Sequence, residues 1–474
     1  MFAVNRELKW NFIYNSFYQI LIILLPLITT PYVSRAIGAE GVGIYSYYYS
    51  IANYFVLFIL LGLNNYGNRT IAATLTKEKC SSTFINIYCF QFCSGFFVFL
   101  CYSIYTIFFT DNIIVSAIFC LHVISGILDI NWFFAGKQKF NISVSRNIII
   151  KLIGAIAILG FIKHEEDVNA YCLIIALSSF FSQLVLWPFV FKEVDFHRPK
   201  LFEVKKHIKP NITLFITVLA VSIYKIMDKI MLGIMTNYTE VGYYESSEKI
   251  INIPIAFVVA LGTVMLPYTT KLISKGLNQN KRMIHKSLLL SMILTVGLSF
   301  GIMSVADVFV PIFYGEGYEK CINLYYILMP SCIFLAFANV IRTQYLLPNE
   351  MDREYIKSAF IGAGINFLVN IILIPFLASI GAAIGTLVSE AFVCLYQCFV
   401  CKNGFDYKNI LKTITPIMFS GIIMFVSLNF LNVCSSSPFV VLTVKIITGC
   451  CIYFLCLLLI WKILGRWYIS FFNE

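Results

Sequence analysis

Residues 222–235, "SIYKIMDKIMLGIM", set Lys225, Asp228 and Lys229 inside a long apolar run. On a helix, Lys225 stands three residues from Asp228 and four from Lys229, so all three share one face. One carboxylate cannot neutralise two ammonium groups. Other apolar runs are interrupted in the same way by Asp129, Lys151, Glu248, Lys249, Asp307, Arg342, Glu390 and Lys445, while Arg35 and Arg69 stand near the ends of two runs. A base at a bilayer centre costs about 2.5–3.5 kcal/mol on insertion scales. Such groups therefore face water, a partner or a ligand rather than lipid. Each has a plainer reading too. Lys445, Lys151 and Arg35 can snorkel to an interface. Asp228 can tie helices through Lys225 or Lys229, and Asp307, near a helix end, reads as structural. The excess of base that is left describes a chamber attractive to anions. Phosphate oxygens fit it, because Lys and Arg hold them by charge-assisted hydrogen bonds. The candidate binding residues from this pattern are Lys225, Lys229 and Arg342. The candidates for gating or ion coupling are Asp129, Asp228, Glu248 and Glu390.

The elements that must position these groups are membrane helices. The chain of 474 residues is 59% hydrophobic and only 12% charged, against about a quarter charged in soluble domains. Apolar runs of about 20 residues, each long enough to cross a ~30 Å hydrocarbon core, recur from end to end. The class is an all-α polytopic membrane protein. No long polar segment is left to form a soluble domain behind a single anchor. Fourteen helices are expected, at 11–34, 43–63, 84–109, 113–135, 146–162, 169–191, 211–235, 245–270, 286–313, 322–347, 356–376, 381–401, 411–431 and 438–463. Alternate loops carry about 26 of the 35 bases, among them Lys77, Lys79, Lys137, Lys139, Arg146 and the run 192–209. The other loops hold only Arg35, Lys163, Lys320 and the acidic "HEED" at 164–167. By the positive-inside rule both termini are cytoplasmic, and the net charge of +11 reflects topology rather than a nucleic-acid partner. Arg6 and Lys9 before an apolar run resemble a signal peptide. That run is too long and lacks a small-x-small cleavage site, so it reads as an uncleaved first helix. Nearly all of the 15 cysteines lie in apolar runs. The lone CxxC, Cys398 and Cys401, has no second pair or nearby His and reads as helix packing, not a metal site.

The basic stretch 192–210 is the natural linker between a lobe at 1–191 (helices 1–6) and a lobe at 211–401 (helices 7–12). Helices 13–14 and a tail follow at 402–474. The lobes echo each other. "KWNFIYNS" (9–16) matches "KPNITLFI" (209–216), Gly43 of "EGVGIY" matches Gly242 of "TEVGYY", and "DINWFFAGKQKF" (129–140) matches "RTQYLLPNEMDREY" (342–355). Such repeats make two pseudo-symmetric six-helix lobes around a central cavity, with alternating access by rocking. Pro26, Pro31, Pro254, Pro267 and Pro330 interrupt the helices and permit bending. The tyrosine cluster "YSYYYSIANY" (45–54) reads as an interfacial aromatic belt; stacking against sugar rings is the alternative.

"PLITTPYVSRAIGAEGVGIYSYYYSIANYFVLFILLGLNNYGNRTIA" (26–72) closely resembles the N-terminal signature of bacterial polysaccharide-unit flippases, the O-antigen and capsule (Wzx-type) transporters. "YKIMDKIMLG" (224–233), "YYESSEKIINIP" (243–254) and "LGTVMLPYTTKLISK" (261–275) resemble second-lobe signatures of the same superfamily, the multidrug/oligosaccharidyl-lipid/polysaccharide exporters. The resemblance implies a flippase that moves an undecaprenyl-diphosphate-linked oligosaccharide from the cytoplasmic to the periplasmic leaflet of the inner membrane. It also implies a lipopolysaccharide or capsule pathway, with a polysaccharide polymerase and a chain-length regulator as partners beside the lipid-linked oligosaccharide and the bilayer. The lipid II flippases are more distant relatives. Their cavity arginines fall by motif on Arg35 in "SRAIGAEG", Arg69 in "NNYGNRTIA" and Lys249 in "SSEKIINIP". Lys249 keeps the charge but lacks the bidentate fork of arginine.

No cofactor is expected, and no P-loop motif is present; a proton or sodium gradient or the membrane potential is the expected drive. Two other functions stand against this one. A multidrug cation antiporter of the same superfamily needs acids, and helix 1 (11–34) has none. A membrane polysaccharide polymerase or ligase displays a large outer loop, and no outer loop here much exceeds ten residues. The chain therefore reads as a transporter, not an enzyme.

Overall fold

The computed structural model describes residues 6–273, 277–402, 404–405, 407–433, 435 and 437–473. In chain order the helices are α1 (Arg6–Leu60), α2 (Leu63–Ala72), α3 (Lys77–Phe108), α4 (Ile113–Leu128), α5 (Asn131–Gly136), α6 (Phe140–Phe161), α7 (Val168–Leu184), α8 (Trp187–Glu193), α9 (Leu201–Met235), α10 (Tyr238–Ile273), α11 (Leu277–Tyr314), α12 (Lys320–Ile341), α13 (Asp352–Leu377), α14 (Ser379–Val400), α15 (Tyr407–Asn429) and α16 (Pro438–Asn473). No strand occurs among the described residues. Eleven segments among the described residues are long and apolar enough to cross a membrane. The chain divides into two compact units, Met1–Gly242 and Tyr243–Glu474.

Membrane logic is legible in single helices. On α3, Asn86, Gln91 and Thr106 are buried, while Phe97, Ile104, Ile107 and Phe108 are exposed. On α13, Ser358, Asn366 and Asn370 are buried and Phe367, Leu368 and Ile372 are exposed. Water would invert this pattern. Hydrocarbon welcomes apolar side chains outside and leaves polar ones to bond inside the bundle.

The expected helices 1 and 2 are the two arms of α1. Its 55 residues far exceed the about 20 that span a bilayer. The arms meet at Gly38, whose φ of 67° and ψ of 178° suit only a residue without a Cβ. Three other expected helices are broken. The 113–135 helix stops at Leu128 and restarts as α5. The carbonyls of Gly126 and Asp129 accept hydrogen bonds from Gln91 Nε2 at 3.1 and 2.8 Å, which satisfies a helix end away from water. The 169–191 helix breaks before α8, where Pro188 sits at the first turn, a position that does not miss its N–H. The 322–347 helix passes into a π-helical turn at Arg342–Leu346. The short helix α2 was not expected.

The repeat has a local counterpart in the backbone. Gln138 (φ 57°) precedes the start of α6 by two residues, and Glu350 (φ 59°) precedes the start of α13 by two. Both follow an interrupted helix within the matched pair 129–140 and 342–355. Gly43 and Gly242 also pack on each other. A Cβ on Gly43 would lie 1.6 Å from the Tyr238 carbonyl oxygen, and one on Gly242 1.9 Å from that of Ala39. In each case the obstructing carbonyl lies four residues before the opposing glycine, the reciprocity of a local two-fold axis.

The charged loops sort to the ends of each unit. In the first, Lys77 pairs with Asp195 at 2.7 Å, Lys137 with Glu193 at 3.0 Å, and Tyr66 Oη meets His207 Nδ1 at 2.6 Å. The basic loops after α2 and α5 and the stretch after α8 therefore share one end. At the opposite end, Tyr32 Oη donates to Ile162 O at 2.6 Å and Tyr48 Oη meets Tyr238 Oη at 3.3 Å. In the second unit, His285 lies 3.5 Å from Thr413 and the Tyr345 ring packs tilted against Phe405 at the end that carries Arg342, Arg353 and Lys402.

The glycine crossing has a direct test. Gly43→Ala and Gly242→Ala should each lower the thermal unfolding midpoint in detergent, at a cost of about 1–3 kcal/mol for overpacking. Gly364→Ala, in a helix with nothing within 4 Å of the added carbon, should be neutral or raise it through the ~0.5–1 kcal/mol backbone term.

Candidate functional site

In the first unit, Arg35 lies in the last turn of α1 before the Gly38 break. It is exposed, with its guanidinium Nη1 3.4 Å from Pro31 O. Arg69 is exposed in the last turn of α2, at the basic end beside Tyr66 and His207. The two arginines thus mark opposite ends of one unit. On α9, Asp228 is buried and Lys229 half-buried. The side chain of Lys225 lies outside the described residues. Lys151 is exposed on α6.

Asp129 stands in the break after α4 and is half-buried. Its Oδ1 accepts the backbone N–H of Asn131 at 2.9 Å and the Asn131 amide at 2.7 Å. Asn131 Nδ2 also reaches Gln183 Oε1 at 3.2 Å. Arg146 joins them all. It donates to Asn131 Oδ1 at 3.1 Å, Gln183 Oε1 at 3.2 Å, Asn147 Oδ1 at 2.6 Å and the Ser182 carbonyl. Sequence reading places Arg146 in a basic loop. The structure starts α6 six residues earlier, at Phe140, and buries Arg146 to 5% exposure. One acid, one base and three carboxamides therefore form a polar knot joining α4, α5, α6 and α7. The signal available in sequence was the polar run 141–147, "NISVSRN", which continues the polar loop before it into the apolar segment that follows.

In the second unit, Lys249 pairs with Glu245 one turn earlier on α10 at 3.5 Å, and Glu248 beside it is half-buried. Glu390 is buried on α14. Arg342 opens the π turn with its guanidinium 5.4 Å from the Tyr355 ring centroid and 3.5 Å from its hydroxyl, a cation–π seat. Lys445 does not snorkel. It is 7% exposed and donates to both Asp307 oxygens, at 3.0 and 3.3 Å, joining α16 to α11. Asp307 thereby ties two helices together, and Lys445 has a counter-ion in place of an interface. Cys401 is buried with Ile341 and Leu346 under the π turn, with Cys398 packed alongside.

These helices have a known plan. The structure superposes on that of a protein titled "Lipid II flippase MurJ, inward closed conformation" with a TM-score of 0.73 over 97% of this chain and 100% of that one, at 14% identity. A multidrug resistance MATE family transporter of the MOP superfamily, inward-facing, matches with a TM-score of 0.58 over 89% of this chain and 99% of that one, at 12% identity. The class is therefore a polytopic helical membrane protein with the fold shared by these transporters. Residues 8–273 match the family described as "Polysaccharide biosynthesis protein", and the chain belongs to that family. Its relatives include the Escherichia coli (strain K12) protein named "Putative O-antigen transporter", 22% identical over 404 residues, 84% of this chain and 97% of that one.

The Lys445–Asp307 pair, whose base is buried and whose acid is exposed, has an asymmetric signature. Asp307→Asn should destabilise the protein by more than Lys445→Met, because it leaves an uncompensated buried ammonium, whereas the double variant should recover most of the loss. Thermal unfolding of the four proteins reads the cycle. Arg146→Lys, which keeps charge but cannot reach four acceptors at once, should cost about 2 kcal/mol or more through the polar groups it strands.

Proposed function

We propose that the chain is a flippase for an undecaprenyl-diphosphate-linked oligosaccharide repeat unit of O-antigen or capsule. It moves the unit from the cytoplasmic to the periplasmic leaflet of the inner membrane by alternating access. The observation that carries this reading is membership of the polysaccharide biosynthesis family in a chain that has the lipid II flippase fold over nearly its whole length. The curated relative whose printed name is an O-antigen transporter adds the substrate class.

On this reading residues 1–191 and 211–401 act as lobes joined by the linker 192–210, with helices 13–14 in 402–474 appended. Both termini are cytoplasmic, because the basic loops gathered at one end of each unit obey the positive-inside rule. Arg35, Arg69 and Lys249 meet the lipid diphosphate as it passes, with Lys225, Lys229 and Arg342 as further contacts. Within the first unit Arg35 and Arg69 mark opposite ends, so on this reading they engage it in succession. Asp129, Asp228, Glu248 and Glu390 gate the cycle or couple it to a proton or sodium gradient. Asp129 does so through the knot around Arg146. A polysaccharide polymerase and a chain-length regulator receive the product. Outward passage of about two negative charges is favoured by ~2.3 kcal/mol per charge per 100 mV of inside-negative potential.

The test is leaflet transfer of lipid-linked oligosaccharide in proteoliposomes under imposed potentials and ion gradients. Transfer should quicken with inside-negative potential. Arg35→Ala, Arg69→Ala and Lys249→Ala should each slow it about tenfold or more, the loss of one charge-assisted hydrogen bond of about 1.5–3 kcal/mol. Lys249→Arg and Lys151→Ala should transfer normally. Absence of transfer under every gradient refutes the flippase reading.

A further inference from the structure

The tyrosine cluster at 45–54 does not form a belt facing outward. Tyr48 is 1% exposed, and Tyr47 and Tyr54 turn inward within the first unit, onto a cavity of about 490 Å³. That volume lies in the range of small-molecule sites. Half of its lining is aromatic, Tyr47, Tyr54 and Phe55 from one face of α1 and Tyr105 and Phe109 from the end of α3, with Ile51, Ile230 and Ile234 between them. Among the described residues its one charged lining residue is Asp111, exposed in the loop between α3 and α4.

This wall is built rather than incidental. Tyr48 Oη accepts the backbone N–H of Asn112 at 2.9 Å and the Thr110 hydroxyl at 3.2 Å. The two residues flanking Asp111 are thus pinned to α1 through one buried phenol, which fixes the carboxylate at the rim. Tyr47 packs edge-on to Tyr48, with ring centroids 5.1 Å apart, and lies 5.4 Å from Tyr238. On the far side, α9 comes close enough that a Cβ on Gly233 would stand 2.2 Å from the Tyr47 ring. The Tyr47 ring is therefore fixed by its neighbours while still lining the cavity, and glycine at 233 is what lets the helix approach.

Rigid aromatic faces suit the C–H faces of a pyranose ring. A carboxylate and phenol hydroxyls at the rim suit its hydroxyl groups, since a carboxylate accepts two hydrogen bonds at once. A saturated lipid chain has no use for Asp111. We infer that this cavity is a carbohydrate subsite, in which Tyr47 and Tyr105 stack a sugar ring of the transported oligosaccharide and Asp111 accepts its hydroxyls. The inference rests on the flippase reading and adds to it a place for the sugar, on the first unit and distinct from the cationic residues assigned to the diphosphate. The subsite makes recognition additive: the lipid diphosphate supplies the common part of affinity, and the sugar supplies an increment.

The experiment compares binding of two probes to the full-length protein in nanodiscs: undecaprenyl diphosphate without sugar, and the lipid-linked oligosaccharide extracted from the native host. Wild type should prefer the glycosylated probe. Tyr47→Leu, Tyr105→Leu and Asp111→Asn should each cut that preference about tenfold, while affinity for the bare lipid stays unchanged and reports an intact fold. Tyr47→Phe, which keeps the stacking face, should retain most of the preference. Equal binding of both probes by wild type, or variants that keep the preference, overturns the subsite and leaves the flippase reading standing. Failure of wild type to bind either probe overturns the flippase reading and the subsite with it. Saturable binding of tetraphenylphosphonium that Asp111→Asn abolishes overturns the sugar assignment in favour of a cation cage.

Discussion

Everything in this structure answers to one constraint: inside hydrocarbon, a polar or charged group must be met by another group of the protein. Backbone amides meet it by forming helices. Side chains meet it in three ways. Lys445 is neutralised by Asp307 on a neighbouring helix. Lys249 is accompanied by Glu245 on its own helix. Arg146 is enclosed by carboxamides, a carbonyl and an aspartate turn. Lys445 and Arg146 are buried among their partners, whereas Arg35 and Arg69 stand exposed near helix ends.

The helical architecture was legible in sequence because the signals that report it are long. Fourteen apolar runs and alternating basic loops survive local errors. The breaks were not legible, because they depend on partners far along the chain. Nothing in "SGILDINWFF" announces that Gln91, some 35 residues earlier, will hold the carbonyls exposed when α4 stops. The role of Lys445 was invisible for the same reason: a lone base in an apolar run looks identical whether it snorkels or finds a counter-ion 138 residues away. Arg146 was misplaced because a polar helix start and a polar loop share a composition. The weak echo of Gly43 in Gly242 proved informative because it constrained spacing: the two glycines meet with reciprocal clashes against Tyr238 and Ala39.

Chemistry and scaffold share residues at the aromatic end of the first unit. Tyr48 is a core residue by burial and a hinge pin by hydrogen bonding. Tyr238, whose carbonyl lies against Gly43, presents its ring to Tyr47 and its hydroxyl to Tyr48. The crossing of α1 with the start of α10 and the shape of the tyrosine-lined cavity are consequently one packing problem. A shift at the glycines is felt at the cavity wall, because packed interiors transmit displacement rather than absorb it.

The Lys445–Asp307 contact also orders biogenesis. Translation delivers Asp307 to the membrane 138 residues before Lys445 leaves the ribosome. An isolated α16 would have to bury its ammonium at about 2.5–3.5 kcal/mol. Held back until α11 is in place, it finds a counter-charge already waiting. α16 is therefore recruited by the part of the protein that precedes it, and a chain with asparagine in place of Asp307 would offer that segment no such electrostatic welcome.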